Sequence, residues 1–432
     1  MTHRSGSRRL GVKALTRVEG EGGLHVSVHD GQVTGVQLRI YEPPRFFEAF
    51  LRGRGHTEPP DITARICGIC PVAYQMSACR AIEDACGVRV GGQLAELRRL
   101  LYCGEWIESH ALHMYLLHAP DFLGLPDAIA LARRDRATVE RGLALKKAGN
   151  AVMDLVGGRS IHPVNVRLGG FYRLPTPREL ATLTEPLRRA LDDAVATARW
   201  ATTFEFPDMT VDHEFLSLHD PGRYPIDTGT LVSSGGLAFS PAEYLAHVEE
   251  HQVPHSTALH ATLDDRTFLV GPLARYTLNH RWLSPVAREV AGEIGLGPRC
   301  RNPFRGILVR AVETVHAIDE ALRIIAAYDP PSAACVDVPP RAGVGHGVTE
   351  APRGLLYHRY RLTEDGTIAD ATIVAPTAQN QPAIEEDLHH VVQAALNLDD
   401  HALAHLCERA IRNYDPCISC SAHFLDLTVS RT

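Results

Sequence analysis

The sequence lacks the marks of several large functional classes. No stretch approaches the roughly 18–20 consecutive apolar residues of a membrane-spanning helix, so no span is expected. Basic residues are not in excess. Lys and Arg number 44 against 51 Asp and Glu, a net charge of −7, which argues against nucleic acid or an anionic membrane surface as the main partner. Neither G-x-G-x-x-G nor a P-loop occurs, so no nucleotide site is expected on this chain. The basic start through Arg8-Arg9 is not followed by the apolar region of an export signal, and a cytoplasmic location is expected. Ten cysteines in 432 residues are too few for a disulfide scaffold, and there is no internal repeat or low-complexity linker.

What is present is enough apolar material, 45% of residues, for a large core. Residues 1–432 show no clean boundary and read as one domain. Apolar and polar residues alternate over 10–41 around the turn His29-Asp30-Gly31, which predicts a small antiparallel β-meander. From residue 61 onward the body reads as helical. Leu94, Leu97, Leu100 and Leu101 start a helix that can run to Leu117, and further helices are expected near 137–156, 178–203, 241–251, 284–294, 307–327, 384–397 and 401–412. Residues 204–240 read as irregular with brief strands, and 355–362 with 367–374 as a strand pair about Glu364-Asp365-Gly366. The fold class expected is mainly α with small peripheral antiparallel sheets, that is, α+β.

Two Cys-x-x-Cys pairs carry the strongest chemical signal. Cys67 and Cys70 lie in Arg65-Ile66-Cys67-Gly68-Ile69-Cys70-Pro71, and Cys417 and Cys420 in Asp415-Pro416-Cys417-Ile418-Ser419-Cys420. Thiolates two residues apart can converge on one metal, and two such pairs make a four-thiolate site. In a reducing compartment they read as metal or redox sites rather than as structural disulfides. A zinc ribbon keeps its pairs about 15–20 residues apart to staple a small unit. Here 350 positions separate Cys67 from Cys417, so the site joins the two ends of a large fold. The other six, Cys79, Cys86, Cys103, Cys300, Cys335 and Cys407, read as small buried apolar residues.

Both motifs and their surroundings resemble the large subunit of nickel–iron hydrogenases, almost end to end. Arg17-Val18-Glu19-Gly20, Arg45-Phe46-Phe47-Glu48, Glu350-Ala351-Pro352-Arg353-Gly354 and Ala375-Pro376-Thr377 with Asn380 are similar to elements of that family. The run Gly104-Glu105-Trp106-Ile107-Glu108-Ser109-His110 resembles its cytoplasmic, multi-subunit branch, coupled to pyridine nucleotides or a flavin-type carrier and including sulfhydrogenases.

The resemblance implies the family's helical large-subunit fold and reversible, heterolytic cleavage of H2. It implies Cys67 and Cys417 as terminal nickel ligands, and Cys70 and Cys420 as bridges from nickel to an iron carrying CO and cyanide. Soft thiolates suit such metals. Arg353 is implied as base or fixed positive charge, with Asp415 orienting it, and Glu19 as the carboxylate taking a proton from Cys420. Glu48, His423 and the Ile373 carbonyl are implied ligands of Mg2+ (or iron) near the C-terminus. Pro376 and Thr377 would line the iron's diatomic ligands. Tyr74 stands where the family often has histidine, and its phenol can donate a hydrogen bond to a bridging thiolate. Ser109 stands where membrane-bound uptake enzymes have aspartate.

The six remaining cysteines show no iron–sulfur spacing. Electrons therefore need an iron–sulfur small subunit, and beyond it flavin (FAD) and NAD(P) diaphorase subunits. In this family a maturation protease cuts just after the last histidine, which here would release residues 424–432.

Each residue also has a plainer reading. Glu19 or Glu48 alone is a solvated carboxylate, and Arg353 alone an ion-pair partner. His110, His113 and His118 read as satisfied core or interface histidines. His247-Val248-Glu249-Glu250-His251 fits a zinc-peptidase pattern, but Pro254 ends that helix almost at once. A complex I-like relative without the metals and a four-cysteine zinc scaffold are the alternative functions.

Overall fold

The alternation over 10–41 folds as three antiparallel strands, β1 (Ser7–Val12), β2 (Gly22–His29) and β3 (Gln32–Ile40), in the computed structural model, which describes residues 7–422. Leu24, Val26 and Leu38 face inward. Asp30 and Gly31 both take positive φ, 48° and 76°, as a two-residue hairpin that matches strand twist requires.

The helical body is built on α1 (Pro71–Ala85), α2 (Gly92–Leu112), α3 (Arg136–Gly157), α4 (Thr184–Ala201) and α5 (Gly306–Ala326). Nearly every residue of α2 from Leu97 to Ala111 is buried, because α3 and α5 cover it from two sides. The α2–α3 crossing is close: a Cβ on Gly149 would lie 2.6 Å from the Gly104 carbonyl and 2.7 Å from Glu108 N. α2 continues through one wide turn, His113–His118.

A second sheet, β4 (Gly343–Ala351), β5 (Gly354–Leu362) and β6 (Ile368–Val374), is antiparallel throughout and packs on α1. The expected strand pair is there, but β4 breaks the alternation with Gly343, Gly345 and Gly347. Side chains at these positions would strike the α1 backbone. After it come α6 (Pro376–Ala394) and α7 (Asp400–Arg412), each begun as its sequence dictates, with Pro376 in the first turn and Asp399 capping Ala402 N. The irregular 204–240 region contains Glu214–His219, Thr230–Ser233 and Ala238–Phe239 of a four-stranded sheet.

The helix expected over 241–251 is corrected. It ends at His247, and Val248–His251 is a strand paired with His260–Leu263. That pairing outweighs a short helical pattern, and it puts His247 and His251 on different elements, so the zinc-peptidase pattern fails. Among the described residues no helix is long and apolar enough to cross a membrane.

Candidate metal centre

Cys67 and Cys70 stand just before α1, with Cys70 leading directly into its first residue, Pro71. From the other end of the chain, the short helix Ile418–Ser421 presents Cys417 and Cys420. The four sulfurs lie within 4.8 Å of one another and all four residues are buried. Cys70 donates to Cys67 Sγ at 2.9 Å, while Cys67 and Cys417 sulfurs are 3.6 Å apart and those of Cys70 and Cys420 3.9 Å. The Cys417 and Cys420 sulfurs lie directly against each other. A Cys-x-x-Cys turn points both sulfurs the same way, the geometry that also converges on one ion. Burial pushes the Cys67 thiol up, but the Cys70 hydrogen bond and the Arg353 charge outweigh it and leave Cys67 lowered. Cys70 is raised well above the ordinary thiol value by its bond to Cys67 and by burial.

The surrounding residues hold these turns in place. Arg353 follows β4 and is fully enclosed. Its Nε donates to the Asp415 carbonyl at 2.7 Å and lies 3.1 Å from Oδ2, and its Nη2 reaches Oδ1 at 3.2 Å. Nη1 is buried without a partner. Burial opposes the guanidinium charge, yet Asp415 and the Cys70 and Cys67 thiols raise its pKa. Asp415 itself takes φ 50°, and Arg17 (57°) and Phe46 (53°) share that left-handed backbone. Each sits two residues before Cys417, Glu19 or Glu48. Such conformations cost about 1–3 kcal/mol each and persist where surrounding structure over-determines them.

Glu19 is placed differently from expectation. Its Oε2 lies 3.2 Å from Cys417 Sγ, not on Cys420, and accepts from Ser419 N at 3.0 Å. The reason is a backbone bridge between Glu19 and Cys417, with Ile418 N donating to the Glu19 carbonyl. The Tyr74 phenol makes no hydrogen bond to a thiol. Its ring packs on His358 and its buried hydroxyl has no partner. Thr377 Oγ1 accepts from Cys417 N at 3.0 Å, and Pro376 opens α6 beside it. Asn380 brackets Val270 by both amide atoms.

Glu48 Oε1 accepts from the amide of Ile373 at 2.6 Å. Burial raises the Glu48 carboxyl to about 7. It also faces Glu250, whose own carboxyl burial raises well above the ordinary range, with the Glu48 charge adding to the effect. Neighbouring carboxyl oxygens are donors of the kind a hard divalent cation takes. His423, and the tail after it, lie outside the described residues.

Three supports were not assigned from sequence. Arg45 Nη2 donates to Ile66 O at 2.7 Å and Ser419 O at 2.5 Å, tying one cysteine turn to the other. Buried Glu105 accepts from Val72 N and Ala73 N at the start of α1, the favourable end for a carboxylate. Arg275 donates to both Glu313 oxygens, to Glu350 and to the carbonyls of Ala351 and Pro352, the two residues before Arg353. Arg45 and Glu105 stood in runs already singled out, whereas Arg275 carried no local signal. His110 Nε2 is bound to Glu313 and His113 Nε2 to the Arg412 carbonyl, but the Nδ1 of each is buried without a partner, so neither is the fully satisfied core histidine expected. His118 packs between His113 and Phe122, with neither ring nitrogen hydrogen-bonded.

Comparison with known proteins agrees with this geometry. Residues 45–154 and 262–423 match the family described as nickel-dependent hydrogenase. The chain is 35% identical to sulfhydrogenase 1 subunit alpha of Pyrococcus furiosus, over 96% of this chain and 98% of that protein. It is 32% identical to sulfhydrogenase 2 subunit alpha of the same organism, over 96% and 98%. Its fold superimposes on an NAD+-reducing nickel–iron hydrogenase in the H2-reduced state with a TM-score of 0.89, at 26% identity, covering 96% of this chain and 99% of that one. The four-sulfur cluster and the end-to-end similarity lead to one conclusion: the chain belongs to the nickel-dependent hydrogenase large-subunit family.

Proposed function

We propose that this chain is the catalytic subunit of a nickel–iron hydrogenase that interconverts H2 with protons and electrons. The observation that carries the reading is the convergence of four buried cysteine sulfurs from both ends of the chain, beside a buried arginine with one unpartnered nitrogen. Cys67, Cys70, Cys417 and Cys420 would hold nickel and an iron bearing CO and cyanide, a soft-ligand centre that supplies the redox chemistry of H2 activation. Arg353, fixed by Asp415, places positive charge and an N–H donor at that centre. Glu19 is positioned to exchange a proton with Cys417, a reassignment from Cys420 supported by the 3.2 Å contact. Glu48, the Ile373 carbonyl and His423 would hold Mg2+, with Pro376 and Thr377 packed against the iron side. Residues 424–432 would be removed by a maturation protease.

Within this proposal the electrons leave to an iron–sulfur small subunit and pass on through FAD-bearing subunits to NAD(P). The fold similarity to an NAD+-reducing enzyme and the relatives named as alpha subunits support that route. A cytoplasmic location fits the thiols that remain free and buried. The test is H2-dependent reduction by the purified complex. Reduction of both a dye and NAD(P)+ supports the whole proposal, reduction of a dye alone removes the NAD(P) route, and no reduction by a nickel-loaded complex rejects it.

A further inference from the structure

A second group of ligand-type side chains involves none of the residues assigned to the hydrogenase chemistry. His255, His260 and Glu385 each offer one donor atom, and the three atoms lie within 4.8 Å of one another. His255 Nε2 is 2.8 Å from Glu385 Oε1, and the His255 and His260 rings are 5.6 Å apart. His260 is only 4% exposed and its Nε2 has no hydrogen-bond partner, so a buried imidazole nitrogen is left without a use. His251 faces His260 across the paired strands, with ring centroids 6.0 Å apart. His251, His260 and Glu385 line one surface pocket of about 620 Å3, which gives an ion a way in.

We propose that His255, His260 and Glu385 form a binding site for a first-row divalent metal ion of the zinc type, separate from the four-cysteine centre. Two imidazoles and one carboxylate with an open fourth position are a donor set that zinc accepts, and His251 or water can complete it. Tetrahedral ligation at about 2.0–2.1 Å sets donors about 3.3 Å apart, so an ion would open the 2.8 Å contact of His255 with Glu385 slightly and close any wider separation in the group.

The three ligands come from different segments, which gives the ion a structural consequence. His255 lies in the loop whose Thr257 bonds Ile40 and Glu42, His260 begins the strand His260–Leu263, and Glu385 lies on α6 and also accepts from Leu38 N. An ion there fastens the N-terminal sheet to α6, the helix whose first turn holds Thr377 against Cys417 N.

The probe is Zn2+ alone, added to the full-length chain as purified with its partners. Bound zinc is counted after dialysis for the wild type, His255→Ala and Glu385→Gln. The expected result is one zinc per chain above the variants' level, with affinity at least about 10-fold weaker in each variant and nickel and iron content unchanged. X-ray absorption of the zinc-loaded wild type needs no variant to fold. It should show imidazole nitrogen at about 2.0–2.1 Å and no sulfur shell at about 2.3 Å. Equal zinc binding in all three proteins, a sulfur-only shell, or no retained zinc overturns the proposal.

Discussion

Replacing Arg353 by lysine separates the position of a charge from its presence. The guanidinium divides its work among three nitrogens. Nε and Nη2 are spent on Asp415, through the carbonyl at 2.7 Å and the carboxylate at 3.1 and 3.2 Å, and Nη1 is left over. Lysine has one nitrogen on a flexible stem. Held by Asp415 it cannot also occupy the Nη1 position, and released from Asp415 it leaves a buried carboxylate poorly paired. The global cost is modest because the charge survives: losing one charge-assisted bond costs about 1.5–3 kcal/mol. The catalytic cost is of similar size but falls on the rate. A group misplaced by about 1 Å loses around 10²-fold in rate, equivalent to about 2.7 kcal/mol of barrier. Arg353→Lys should therefore keep nickel and iron and lose at least about 10²-fold in H2 oxidation. The assay is turnover per nickel, with both metals quantified on the same sample. Near-normal turnover would refute the reasoning by showing that charge alone suffices, and loss of the metals would assign Arg353 to assembly of the centre instead.

Arg275→Met should destabilise the protein by about 3–5 kcal/mol in chemical denaturation, because Glu313 and Glu350 would lose their shared buried cation; Arg275→Lys should cost less. Gly345→Ala should cost about 1–3 kcal/mol or more, since its Cβ would overlap the Ala81 carbonyl and Ala85 amide of α1, and thermal unfolding will read the loss. His316 is buried, accepts from Ser284 N through Nδ1, and is lowered to about 4 by burial with the Arg99 charge next in effect. Its neutral form thus supports the fold fully above pH 6.5, and that support, about 3 kcal/mol, is lost as pH falls from 6.5 toward 4. His316→Asn, which keeps an acceptor for Ser284, should flatten the pH dependence of stability in that window. An unchanged slope would show that His316 does not titrate as its burial requires.

The four-cysteine cluster was legible because its spacing is local: each Cys-x-x-Cys turn announces itself. The N-terminal meander was legible from its alternation, and the helices from their period, including α7 to within one residue. Other parts were hidden for identifiable reasons. β4 could not be read because Gly343, Gly345 and Gly347 erase its alternation, and they are glycine because α1 passes so closely. α6 begins well before the expected 384, since Pro382 inside it masks the periodic run. Val248–His251 follows its partner strand rather than its own pattern. Within the site, the Glu19 contact shifted by one cysteine because a backbone bridge, invisible to spacing, sets its register on Cys417. Arg45 and Arg275 act on carbonyls and carboxylates far along the chain, and no local motif carries such pairings.

The central claim is that the four cysteines hold a nickel–iron pair rather than zinc or no metal. The most direct measurement is elemental analysis of the protein purified from cells supplying its maturation machinery, on wild type and on Cys67→Ser and Cys420→Ser. The account predicts nickel in the wild type, with iron at least matching it, and loss of nickel from both variants. Zinc at that site in place of nickel, or nickel unaffected by either substitution, would contradict it.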